Sequence, residues 1–222
     1  MSIIQKTKAK AGFPPGTLIY TGSAEAKPVK IYLMNYDEYH LQEHEIEDCA
    51  ECLSYKNSST VSWININSIQ NVEVIETIGK YFDIHPLVLE DLMSVNQRPK
   101  MENYDSYSFI VLRMLKINED NNQINDEQVS LIVGNNFVIS FQEEEGDVLD
   151  SIRNRIRENK GIIRKQKSDY LAYALIDTIV DNYFVILEKI EDETERIEED
   201  LSLIASNKSL QEINILKRQI IS

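Results

Sequence analysis

The chain has 222 residues, 42% of them hydrophobic and 27% charged, which excludes a disordered protein and leaves room for a core burying roughly 70% of the unfolded surface. A formal net charge of -14 excludes general polyanion binding, so cations and not nucleic acid are the natural partners. Two cysteines make no disulfide framework, no secretory start is present, and no run reaches the roughly 18 consecutive apolar residues of a membrane span, so the residues read as a soluble protein of a reducing cytoplasm.

Residues 1 to 16 read as an arm and turn, Lys-rich and then broken by Gly12, Pro14, Pro15 and Gly16. Thr17 to Tyr20 and Val29 to Met34 are β-rich and read as two strands, and the acidic stretch Tyr36 to Leu53 has helical spacing in places. Val61 to Ile66 carries Val61 and Trp63 on one face and Ile64 and Ile66 on the other, the pattern of an interior strand. An amphipathic helix follows over Ile69 to Tyr81, with Val72, Ile75, Ile78 and Phe82 on its core side. Pro86 then opens a helix of barely two turns that ends before Pro99.

Tyr107 to Ile117, Gln128 to Val133 and Phe137 to Phe141 are three strands, the last two joined by a Gly134-Asn135-Asn136 hairpin turn. Helices interleaved with these strands imply an α/β fold: a mixed parallel and antiparallel sheet sandwiched between helical layers, in a domain spanning residues 1–168. Asp147 to Asn159 is helical and begins the basic cluster that runs to Lys167, which reads as pairing within the protein or its assembly because no stacking aromatics interleave it. Residues 169–222 form a long helix to about Ala205, an interruption at Ser206 to Ser209, and a restart over Leu210 to Ile221 that reads as the truncated start of a helical hairpin.

Several constellations could carry chemistry. Glu90 and Asp91 lie about 100° apart on the short helix, Glu90 opposite the buried stripe of Val88, Leu92 and Val95 and Asp91 on its border. Asp177 and Asp181 are one turn apart, where like charges repel by roughly 0.2–0.5 kcal/mol unless a hard cation such as Mg²⁺ joins them. Taken alone, both pairs read as solvated acids on helix faces. His40, Glu43 and His44 match the H-x-x-E-H pattern of inverted zinc proteases, so a zinc metallohydrolase is the alternative from the enzyme class. Cys49 and Cys52 read as ordinary thiols, with a redox pair or, if the helix between them breaks, a zinc site with His40 and His44 as the alternatives. A non-sensing oligomerisation scaffold is the third reading.

From KAGFPPGTLIYTG through WININ, YFDIHPLVLEDLMSVNQRPKMENY, EQVSLIV and GIIRKQKSDYLAYALIDTIVDNYFVILEKI, the chain resembles the amino-terminal cytoplasmic region of CorA-type magnesium transporters. The resemblance implies a non-enzymatic, Mg²⁺-sensing regulatory domain of a membrane-embedded homopentamer that conducts Mg²⁺ and Co²⁺. It implies that Asp91 shares a regulatory ion with a stalk carboxylate of the neighbouring subunit, a residue beyond Ser222, and that Glu90 and Asp177 line a second ion position. The Gly-Met-Asn signature of the family's pore helices is not in these residues, so this stretch is expected to make no membrane contact and to transport nothing by itself.

Overall fold

In the computed structural model, residues 12–22, 27–95, 97–118 and 123–203, with Ile213 and Lys217, are described. Seven strands, β1 (Lys30–Tyr36), β2 (Leu41–Ile46), β3 (Val61–Asn67), β4 (Lys100–Asn103), β5 (Tyr107–Ile117), β6 (Ile124–Gly134) and β7 (Phe137–Gln142), form one sheet. Its order is β2-β1-β3-β7-β6-β5-β4, with β3 and β7 parallel and the other pairs antiparallel. Among the described residues four α-helices cover it: α1 (Val72–Phe82), α2 (Pro86–Met93), α3 (Asp150–Arg157) and α4 (Ser168–Leu203). The expected mixed sheet between helical layers is therefore present.

Strand periodicity sorts the core into two halves. Ile64 and Ile66 of β3, Phe109 and Val111 of β5, and Ile139 and Phe141 of β7 face α1 and α2. Trp63, Ile110, Met114 and Val138 face α3 and α4, where Ile152, Ile156, Leu171, Leu175 and Ile179 meet them. Each such side chain, once fully buried, contributes roughly 1.5–3 kcal/mol. β3 is an interior strand, as its two-sided apolar pattern predicts.

Local chemistry sets the helix ends. α1 begins three residues later than its apolar spacing suggests, because the Asn71 side chain caps it by accepting from Val74 N at 3.3 Å. It stops at Asp83, whose left-handed backbone (φ 54°) closes the last turn onto Gly79 O. α2 carries Pro86 in its first turn, and His85 Nδ1 accepts from Leu87 N at 3.2 Å.

Three expectations are corrected. Thr17 to Tyr20 is not a strand: Leu18 and Tyr20 pack onto the core from outside the sheet, and Thr21 N donates to Met93 O at 3.1 Å. Tyr36 to Leu53 is not a helix but β2 followed by a 3-10 turn over Cys49–Tyr55 whose start Asp48 caps. β2 is an edge strand with a mostly solvent-exposed surface, which blurs its alternation. Finally, Ser168–Glu199 is long and apolar enough to cross a membrane, with an 18-residue window of mean hydropathy 1.4, which a count of consecutive apolar residues misses because Asp177 and Asp181 interrupt it. Its buried side packs on the sheet through Leu171, Ala172, Leu175 and Ile179. Of the expected restart over Leu210 to Ile221, Ile213 and Lys217 are described and helical; its other residues and the arm before Gly12 lie outside the described residues.

Candidate metal centre

α2 buries Val88, Leu89, Leu92 and Met93, which leaves Glu90 and Asp91 on its rim, both half-buried. Glu90 Oε2 accepts from Gly16 N at 2.7 Å, so this acid ties the amino-terminal segment to the helix. The end of α2 is pinned from the sheet: Gln128 of β6, itself buried, reaches Leu92 O with its amide nitrogen and accepts from Gln97 N with its oxygen.

Asp91 faces a cation supplied by its own chain. Lys100 Nζ, on edge strand β4, lies 2.5 Å from Asp91 Oδ2 and 2.8 Å from Glu102 Oε1. The other Glu102 oxygen accepts from Tyr104 OH at 3.0 Å, and the Tyr104 ring stacks on Tyr107 at 4.8 Å. Lys100 Nζ stands 5.4 Å from the centroid of the Phe109 ring. Partial burial works against the ammonium, yet the hydrogen bonds it donates to Asp91 and Glu102 outweigh it and hold the Lys100 pKa above the ordinary lysine value. The same bond to Lys100 holds Glu102 below the usual carboxylate range. Lys100 and Glu102 escaped the reading of the sequence; the signal was the K-x-E alternation after Pro99, which places both side chains on one face of a strand.

Asp177 is exposed on α4, on the side away from Leu171, Leu175 and Ile179 and close in sequence to the exposed Tyr173, Val180 and Phe184. α2 packs on one face of the sheet and α4 on the other, so one copy of the chain does not bring Asp177 to Glu90 and Asp91. Among the described residues no three His, Cys, Asp or Glu side chains gather into a group able to hold a metal ion.

The H-x-x-E-H alternative loses its geometry. That pattern needs a helix to set two histidines on one face, whereas Glu43 and His44 lie on a strand and point to opposite faces. Glu43 pairs with Arg157 at 2.5 Å and His44 with Glu51 at 2.7 Å, while His40, before the strand, meets Asp37 at 3.2 Å. Cys52 is fully buried, and burial pushes its thiol up to about 12; burial raises Cys49 as well. Neither is a ready thiolate at neutral pH. The basic cluster is spent within the molecule, as its composition implies: Arg153 on Asp147 and Asp150, Arg157 on Glu43, Lys165 on Glu38, and Arg164 on the carbonyls of Ile156 and Arg157.

A half-exposed carboxylate on a helix rim is a ligand that Mg²⁺, which keeps several of its waters, can use, but in one copy of the chain the Lys100 ammonium already neutralises Asp91.

A family model described as CorA-like Mg2+ transporter protein matches residues 58–222. The cobalt/magnesium transport protein CorA of Thermotoga maritima is 45% identical over 217 residues, covering 98% of this chain and 62% of that protein. The putative metal ion transporter YfjQ of Bacillus subtilis is 31% identical over 137 residues, 62% of this chain and 41% of that protein. The chain thus spans less than two thirds of the length of these relatives. The fold is shared with the soluble domain of CorA from Methanocaldococcus jannaschii, at a TM-score of 0.61 and 17% identity over 86% of this chain and 72% of that one. It is shared too with the cytoplasmic domain of ZntB from Vibrio parahaemolyticus, at 0.59 and 15% over 85% and 75%.

Proposed function

The chain belongs to the CorA-like Mg2+ transporter family, and on that premise we propose that it is the cytoplasmic, Mg²⁺-sensing part of a CorA-type Mg²⁺ and Co²⁺ transporter. The family is one of transporters and not of enzymes. The observation that carries the sensing role is Asp91, a half-exposed carboxylate held beside a cation on the rim of α2, with Glu90 next to it. Its own chain supplies no cluster of three acids among the described residues, so a complete site takes water and a second copy.

In this reading Asp91 holds one ion against an acid of a neighbouring copy, and Glu90 and Asp177 line a second position. The sheet between α2 and α4 requires Glu90 and Asp177 to come from different copies, which suits a ring such as a homopentamer. A bound divalent ion supplies two positive charges where carboxylates of two copies face each other. Without it, facing carboxylates about 4 Å apart repel by roughly 1–4 kcal/mol per pair, depending on how much water screens them. The bridge between copies is then lost, the repulsion at Asp91 being damped by Lys100, and the closed arrangement gives way to an open one when Mg²⁺ is scarce.

Protease digestion of the protein at its full natural length tests this. Mg²⁺ is expected to protect the wild type and to protect Asp91→Ala more weakly. Equal protection of both would mark Asp91 as a plain surface acid.

A further inference from the structure

The network around Asp91 contains a cation of its own, and its geometry says more than that the acid is paired. Lys100 pairs in register with Val111 of β5, which is fully buried on the α2 side of the sheet, so Lys100 reaches over that face instead of out from the sheet edge. Its ammonium stands over the Phe109 ring, and its side chain is only 27% exposed. From there one ammonium joins two carboxylates on different elements, Asp91 of α2 and Glu102 of β4.

We propose that Lys100 is a built-in competitor for the divalent ion at Asp91, a specificity- and threshold-setting residue that occupies the carboxylate when the ion is away and yields it when the ion binds. This rests on Asp91 holding an ion. Two features make the exchange inexpensive. Glu102 stays within reach of the displaced ammonium, so release from Asp91 leaves Lys100 paired and not stranded. Glu102 is itself anchored by Tyr104 OH and remains in place when Lys100 swings toward it.

Competition has two consequences. A monovalent ion offers Asp91 no more charge than Lys100 already does, whereas a divalent ion offers twice as much, so the lysine biases the site against Na⁺ and K⁺. It also weakens the affinity for divalent ions, placing half-saturation at a higher concentration than the carboxylates alone would give. Because Lys100 straps β4 to α2, exchange also frees one link between the sheet edge and the helix that faces a neighbouring copy.

The test uses the protein at its full natural length and Mg²⁺ alone, with half-maximal protease protection as one readout and competition against Mn²⁺, followed by its electron paramagnetic resonance, as the other. Lys100→Met keeps an unbranched side chain of similar length and removes the charge; Lys100→Gln also removes the charge should the first variant fold poorly. Either is expected to lower the half-saturating Mg²⁺ concentration about five- to tenfold and to narrow the preference for Mg²⁺ over Na⁺, while Lys100→Arg stays within about twofold of wild type. Unchanged or weaker Mg²⁺ binding in Lys100→Met, with binding lost in Asp91→Asn, would overturn the competitor role and leave Asp91 as an ion ligand. Mg²⁺ binding that Asp91→Asn does not alter would overturn both.

Discussion

Arg153→Met is the substitution whose cost the structure defines best. Arg153 grips Asp147 with both ends of its guanidinium, at 2.6 Å each, donates to Asp150 at 2.9 Å, and lies 5.1 Å from the centroid of the Trp63 ring. The Asp147 side chain is only 4% exposed, so the substitution leaves a buried carboxylate without its counter-ion. Breaking such a pair from one side costs about 3–5 kcal/mol. For a chain of this size that is about 6–20 °C in Tm. The pH dependence gives a second handle. Burial works to raise Asp147, and the bonds and charge of Arg153 outweigh it, so its carboxyl sits below its ordinary value of 3.8. A depressed pKa contributes stability that is present above the ordinary value and is lost as pH falls through the folded one. The wild type therefore loses this contribution only below about pH 4, whereas in Arg153→Met burial raises Asp147 against only the bonds of Leu149 N and Gln142, so its protonation begins to shrink the deficit at a higher pH than in the wild type. Thermal melts followed by circular dichroism at pH 7 and pH 5, with the double variant Asp147→Asn/Arg153→Met, measure all of this. The double variant is expected to recover at least half of the loss. A fall under about 3 °C at pH 7, or a double variant worse than the single by a further large step, would refute the reasoning.

Three further outcomes follow from the fold. Asn71→Ala removes the cap of α1 and should cost about 1 kcal/mol in urea unfolding with no change in slope. Cys52, buried and with its thiol pushed up to about 12, should react with a thiol reagent at pH 7.5 at least about a hundredfold more slowly than in urea. The double variant His40→Ala/His44→Ala should leave the zinc content of the purified protein unchanged and its stability within about 1 kcal/mol, because each histidine sits in an exposed or half-exposed polar pair. Stoichiometric zinc lost from that variant would revive the hydrolase reading.

Most of the sheet was legible wherever burial writes a pattern. β3 shows apolar residues on both faces because helices cover both; the β6 and β7 hairpin shows its turn; α2 shows Pro86 at its start. The losses are at the edges. β2 and β4 end the sheet, carry charged residues, and bury too little for alternation to stand out. The missed edge strand β4 is also why Lys100 and Glu102 went unnoticed, since only the fold brings them to Asp91. Composition alone did not distinguish Glu90 and Asp91 from solvated acids; the bonds to Gly16 and Lys100 do. That Asp177 lies across the sheet from them is a property of topology, which no local spacing encodes.

The most direct measurement of the central claim is a crystal structure of the protein at its full natural length grown with Co²⁺ and located by anomalous scattering. The account predicts an anomalous peak beside Asp91, bound directly or through one water, with a carboxylate of a second copy on its far side and Lys100 turned toward Glu102. A cobalt ion at His40 and His44 with none near Asp91, or copies packed with Asp91 facing bulk solvent at saturating Co²⁺, would contradict it.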